Sequence, residues 1–150
     1  MKQLIILRHG KAAPQDHSGD HKRPLAPRGR AGIALVAAKL KTLGVRPDLV
    51  LVSTALRTRE TYELAAGPAG LKPAEFEDDL YLASTVALLR RLKKVPPRTG
   101  AVMLIGHNPG LAELVRKLSD PAESDGDALA RASTKFPPGA CAVLDVLTPW

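Results

Sequence analysis

The chain opens on an apolar run without alternation, Leu4 to Leu7, inside the segment Lys2 to Arg8. A short run of this kind reads as a strand buried on both faces near the centre of a sheet. From His9 to Pro27 the sequence turns polar and is punctuated by Pro14, Gly19, Pro24 and Pro27, which predicts a long loop. Long loops in compact domains tend to carry function. Between Arg28 and Leu43, Ile33, Val36, Ala37, Leu40 and Leu43 recur at helical spacing, and Gly44 supplies the stop. Leu49 to Val52 is a second buried strand, leading through Ser53 into a helix expected to end near Ala66, before Gly67 and Pro68. Glu75 to Asp79 reads as a weak edge strand, and Val86, Leu89 and Leu92 mark a helix that Pro96 and Pro97 terminate. Ala101 to Ile105 repeats the buried-strand pattern. After Gly106 a helix carries Leu111, Leu114, Val115 and Leu118, with Pro109 near its first turn. Ser119 to Arg131 is polar and reads as an irregular loop, and Ala142 to Leu147 as a last strand.

Strands alternating with helices predict an α/β layered sandwich: one domain over residues 1–150, with a mainly parallel central sheet flanked by helices. In open α/β sheets ligands bind beyond the carboxyl ends of the strands. Three predicted strands end in polar, chemically capable sequence: Arg8-His9-Gly10, Ser53 with Arg57 one helical turn on, and Gly106-His107-Asn108. The fold should bring these three ends together.

Charge narrows the ligand. The 150 residues carry a net charge of +7, a field that attracts anions. Nucleic acid is the generic anion, but aromatic residues are only 3% of the chain and no RNP, zinc-finger or homeodomain signature occurs, so phosphorylated small molecules or phosphoproteins fit better. The opening apolar run is too short for a signal peptide or a membrane span, and a lone Cys141, read as a small buried hydrophobe, suits a reducing compartment; a cytoplasmic location is expected. There is no phosphate loop of the G-x-x-x-x-G-K-[ST] type and no G-x-S-x-G elbow. Asp16-His17-Ser-Gly-Asp20-His21 has the look of a metal cluster, but an exposed loop of Asp and His is ordinary, and no metal or cofactor is expected.

Leu7-Arg8-His9-Gly10-Lys11-Ala12 resembles the Arg-His-Gly signature of the histidine phosphatase superfamily. Ser53-Thr-Ala-Leu-Arg57-Thr-Arg-Glu60-Thr61 resembles the family's second-arginine segment, and Ile105-Gly-His107-Asn108 its second-histidine segment. Length and the segment Arg23-Pro-Leu-Ala-Pro-Arg-Gly-Arg30 are most similar to the compact SixA-type phosphohistidine phosphatases. The resemblance, running from residue 2 to about 147, implies a phosphoglycerate mutase-like fold and a metal-independent phosphatase.

On that resemblance His9 is the nucleophile, Arg8 and Arg57 the phosphate clamp, and His107 a second, cationic histidine beside the phosphoryl group. Asn108, Lys11, Lys22 and Arg23 are candidate substrate contacts, with His17 and His21 at the same mouth. One departure matters. Many family members place a proton-donating glutamate where this chain has Leu82, which cannot transfer a proton. Asp79 is the candidate stand-in. The readings left open are a phosphohistidine phosphatase acting on a phosphoprotein such as a histidine phosphotransfer domain, a phosphatase of small phosphoesters or nucleotides, and a noncatalytic phosphate-binding module.

Overall fold

In the computed structural model, which describes residues 2–150, β1 (Lys2–Arg8), β2 (Leu49–Ser53), β3 (Ala74–Glu77), β4 (Ala101–Gly106) and β5 (Cys141–Val146) form one sheet in the order β3-β2-β4-β1-β5. The first four strands are mutually parallel, and β5 joins β1 antiparallel at the edge. The architecture is the expected α/β one. The apolar runs follow from it: β1, β2 and β4 are interior strands covered on both sides, so every residue from Leu4 to Leu7 and from Val102 to Ile105 is buried.

Strand period sorts those residues between two cores. Ile5, Leu7, Val50, Val52, Met103 and Ile105 meet Ile33, Ala37, Leu40, Ala65 and Ala69 of α1 (Pro27–Thr42) and α2 (Leu56–Ala69). Leu4, Ile6, Leu51, Val102 and Leu104 meet Leu88, Leu92, Leu111 and Leu114 of α3 (Thr85–Leu92) and α4 (Gly110–Leu118). Truncating one of the Leu, Ile or Met side chains of these layers to Ala would cost about 2–5 kcal/mol.

Three sequence expectations are corrected. The second helix does not stop at Ala66 but runs through Gly67 and Pro68 to Ala69. Pro68 sits in its last turn, where its missing N–H leaves the Leu64 carbonyl without a helical donor, and buried Ala65 and Ala69 hold that turn down. Gly70, at φ 65°, closes it in the left-handed conformation. The stretch read as an irregular loop contains α5 (Gly126–Thr134), capped by the Asp125 carboxylate, which accepts from the Ala128 amide at 2.9 Å. No residue of α5 is fully buried and only Leu129 and Ala132 are partly covered, a stripe too short to stand out in a polar stretch. Cys141 is exposed rather than buried, because it begins the edge strand.

Candidate active site

Strand register builds the site. Arg8 pairs with Gly106 across β1 and β4, so the next residues of each strand, His9 and His107, emerge side by side with ring centroids 5.4 Å apart. Val52 pairs with Ile105 across β2 and β4, which places Ser53 beside the same end. Arg57 lies on the first turn of α2, just beyond Ser53. The three polar strand ends therefore meet at one edge of the sheet. His9 (7%), Arg57 (3%) and His107 (3%) are nearly inaccessible, an unusual fate for such polar groups.

His9 has a defined tautomer. Its Nδ1 lies 2.7 Å from the Gly10 carbonyl oxygen, which can only accept, so Nδ1 carries the proton and donates. Burial, reinforced by Arg57, Arg8 and Arg23, pushes its pKa down to about 4 against the upward pull of the Gly10 carbonyl. The ring is neutral at physiological pH, and Nε2 holds a free lone pair. The Gly10 amide in turn donates to Thr61 Oγ1 at 3.1 Å, and Thr61 Oγ1 donates to the Arg57 carbonyl at 2.7 Å, tying the loop to α2. Close packing secures the other side of the loop. A Cβ at Gly29 would lie 2.1 Å from the Lys11 carbonyl oxygen, so only glycine lets α1 approach it.

Burial first, then Arg57 and His9, lower the pKa of His107 to about 3, and Asp20 opposes this only in part, so the cationic His107 expected beside a phosphoryl group is not its form in the resting site. His107 is neutral. Its Nε2 sits 2.8 Å from Ser53 Oγ, while Nδ1 is buried without a partner. Arg8 donates from one terminal nitrogen to the Phe136 carbonyl at 3.2 Å, and its Nε is likewise buried without a partner.

The acidic residue at the site is Asp20, from the loop before α1. Arg57 donates to the Asp20 carbonyl at 2.8 Å and to its carboxylate at 3.0 Å, Arg23 donates to the carboxylate at 2.9 Å, and the Tyr81 hydroxyl donates to it as well. The Tyr81 bond, then those from Arg23 and Arg57, hold Asp20 well below the usual carboxylate range despite some burial, so it is ionised. Tyr81 also packs edge-on against His107, at 5.4 Å between centroids.

The remaining candidates divide. Arg23 is fixed in the site's wall, its Nε donating to the Ala13 carbonyl at 2.9 Å. Lys11 and Lys22 are exposed beside it. Asn108 is spent on structure: Nδ2 donates to the Phe136 carbonyl at 2.7 Å, and Oδ1 accepts from the Ala112 amide at 3.2 Å, inside α4. Asp79 is exposed in the turn after β3 and takes no part in the contacts that unite Asp20, Tyr81 and His107, and Leu82 is exposed. His21 pairs with Thr54 Oγ1 at 3.0 Å and packs edge-on against Tyr81, and Asp16 accepts from the Ser18 amide at 2.7 Å, so the Asp and His residues of the loop have other partners. Among the described residues no group of three or more His, Cys, Asp or Glu could hold a metal, and no helix is long and apolar enough to cross a membrane. Sequence reasoning placed Ser53 at a strand end of the site and Thr61 in the second-arginine segment without giving either a role, gave Tyr81 none, and read Asp20 within a metal-like cluster. Thr58 and Thr61, polar residues on the buried face of α2, were the available signal.

Comparison with known proteins agrees with this geometry. Residues 4–81 match the model of the histidine phosphatase superfamily (branch 1). The phosphohistidine phosphatase SixA of Escherichia coli is 34% identical over 119 residues, covering 77% of this chain and 73% of its own. A protein of Agrobacterium tumefaciens, provisionally described as the phosphohistidine phosphatase SixA, superposes with a TM-score of 0.84 at 30% identity, over 96% of this chain and 91% of that one. A protein histidine phosphatase SixA in complex with tungstate superposes with a TM-score of 0.71 at 32% identity, over 77% and 76% of the two chains.

Proposed function

The chain belongs to the histidine phosphatase superfamily, and from that premise we propose that it is a phosphohistidine phosphatase working through a covalent intermediate on His9. The observation that carries this reading is the state of His9: a neutral imidazole whose Nδ1 proton is committed to the Gly10 carbonyl, leaving the Nε2 lone pair for attack. In the first step that lone pair attacks phosphorus in line. The bond from phosphorus to the substrate's leaving atom breaks, and its electron pair departs with that atom. In the second step water attacks the phosphohistidine, the Nε2–P bond returns its pair to His9, and the water proton leaves with inorganic phosphate.

Charge spread over the transferring oxygens needs fixed donors. Arg8 and Arg57 supply the cationic ones, and Arg8 Nε and His107 Nδ1 are buried polar atoms that the protein leaves without partners. Buried polar groups are normally satisfied, so an oxyanion is the natural complement. No step calls for a metal or other cofactor.

The leaving group selects the substrate. Expelling an alkoxide normally requires a proton donor. Asp20 is ionised, Leu82 is apolar, and Asp79 is exposed and bonds to none of the site residues, so no protonated carboxyl group is held in place for that purpose. An imidazole, with an unperturbed pKa of about 6.5, departs as a far weaker base. A phosphohistidine on a protein partner in the cytoplasm, such as a histidine phosphotransfer domain, fits this site, and Lys11 and Lys22 are placed to steer an acidic one.

A substrate panel tests the proposal. With or without EDTA, kcat/KM should fall in the order phosphohistidine peptide, aryl phosphate, alkyl phosphate, and quenching during turnover should trap acid-labile, alkali-stable phosphate on the wild type but not on His9→Ala. Sugar phosphates or nucleotides turned over faster than every phosphohistidine substrate would move the reading to a small-phosphoester phosphatase. Tungstate binding without any turnover would make the chain a phosphate-binding module.

A further inference from the structure

Ser53 is wholly buried at the end of β2, and its hydroxyl has two neighbours. The Ala55 amide donates to Oγ at 3.4 Å, and His107 Nε2 lies 2.8 Å away. An amide N–H cannot accept, so among these neighbours the hydroxyl proton has one acceptor, His107 Nε2. A buried hydroxyl that failed to donate would forfeit a hydrogen bond in a place without water. Nε2 must then hold a lone pair, and because the ring is neutral its single proton resides on Nδ1.

We propose that Ser53 is a positioning residue that fixes His107 as its Nδ1–H tautomer and so turns the unpartnered Nδ1 into a donor toward the phosphoryl oxygens. The inference rests on the phosphatase reading for its consequence, but the tautomer is a property of the resting protein. Without the Ser53 hydroxyl a neutral histidine could carry its proton on Nε2, which would present a lone pair from Nδ1 to an anionic oxygen and replace attraction with repulsion. A histidine orienter acts through this choice of tautomer, and its loss can be severe even when geometry survives. The arrangement also explains why a neutral His107 serves: a fixed N–H donates without titrating.

The test measures the tautomer directly. Nitrogen-15 NMR of the wild-type protein, with His107 assigned by comparison with His107→Gln, should show Nδ1 protonated and Nε2 unprotonated. In Ser53→Ala, whose fold is checked by the amide spectrum, the proton should shift toward Nε2, tungstate should bind on the order of tenfold more weakly, and kcat for a phosphohistidine peptide should fall on the order of tenfold to hundredfold. Ser53→Thr, which restores the hydroxyl, should recover the tautomer. A wild-type ring protonated on Nε2, or a Ser53→Ala protein with wild-type tautomer and tungstate affinity, overturns the inference. A wild type that shows the tautomer and binds tungstate but hydrolyses nothing overturns the phosphatase reading and leaves this inference standing.

Discussion

Two buried, neutral histidines make this fold sensitive to mild acid, and the size of the effect follows from their environments. His9 and His107 have folded pKa values of about 4 and about 3, against about 6.5 in an unfolded chain. Between those limits the unfolded state binds more protons than the folded one, so stability falls as pH drops from about 6.5 toward the folded values. From pH 7 to pH 5 each histidine forfeits about 2 kcal/mol, and the pair about 4 kcal/mol. That is a large share of the roughly 5–15 kcal/mol typical of a domain. Asp20 does not confuse the measurement: its folded pKa is depressed, so its contribution is lost only below about pH 4, where the unfolded carboxyl protonates. Urea unfolding at pH 7 and pH 5 reads the difference. The wild type should lose about 4 kcal/mol over this interval, His9→Ala and His107→Ala about half as much each, and the double variant should be nearly insensitive through these two sites. Single variants that lose as much as the wild type would refute the assignment of neutral, buried histidines.

Other perturbations probe the frame and the clamp. Gly29→Ala places a Cβ 2.1 Å from the Lys11 carbonyl oxygen, so the loop after His9 must shift. Thermal unfolding should reveal about 1–3 kcal/mol of destabilisation, and kcat/KM should fall on the order of a hundredfold if the loop moves by about an ångström. Arg57→Lys keeps a charge but loses the fork that donates to the Asp20 carbonyl and carboxylate at 2.8 and 3.0 Å. Steady-state kinetics should show kcat/KM reduced on the order of a hundredfold to a thousandfold, and retention of near wild-type activity would remove Arg57 from the clamp.

Much of this was legible in the sequence for a physical reason. Interior parallel strands must be apolar on both faces, so Leu4 to Leu7, Leu49 to Val52 and Ala101 to Ile105 announced themselves, and the residues that ended them were the ones the sheet gathers. Helix α5 was not legible because only Leu129 and Ala132 are partly covered, a stripe too short to stand out among its polar neighbours. The bonds from Ser53 to His107 and from Tyr81 to Asp20 depend on strand register and on how the loop before α1 folds back, which no local spacing encodes. The low pKa of His107 in the resting site was not legible because a strand-end histidine looks exposed in sequence, whereas here burial and two arginines lower it.

That resting charge state bears on how the site handles its ligand. With both histidines neutral, positive charge comes from Arg8, Arg57 and Arg23, and the Asp20 carboxylate offsets part of it, leaving an excess of two positive charges. An excess of two matches a phosphoryl dianion, so the charge balance needs no proton on either imidazole. Asp20 also occupies the Arg57 fork, so an incoming phosphoryl group shares that guanidinium with a carboxylate rather than replacing water around a free cation. Sharing weakens ground-state binding while leaving the arginine held in place, and interactions that strengthen only as charge develops are those that raise kcat. The same carboxylate, kept ionised by Tyr81, Arg23 and Arg57, withholds the proton an alkoxide would need. Clamp geometry and substrate preference thus follow from one residue. On the proposed reading, Asp20 holds Arg57 for the phosphoryl group and, by staying charged, favours leaving groups that require no acid.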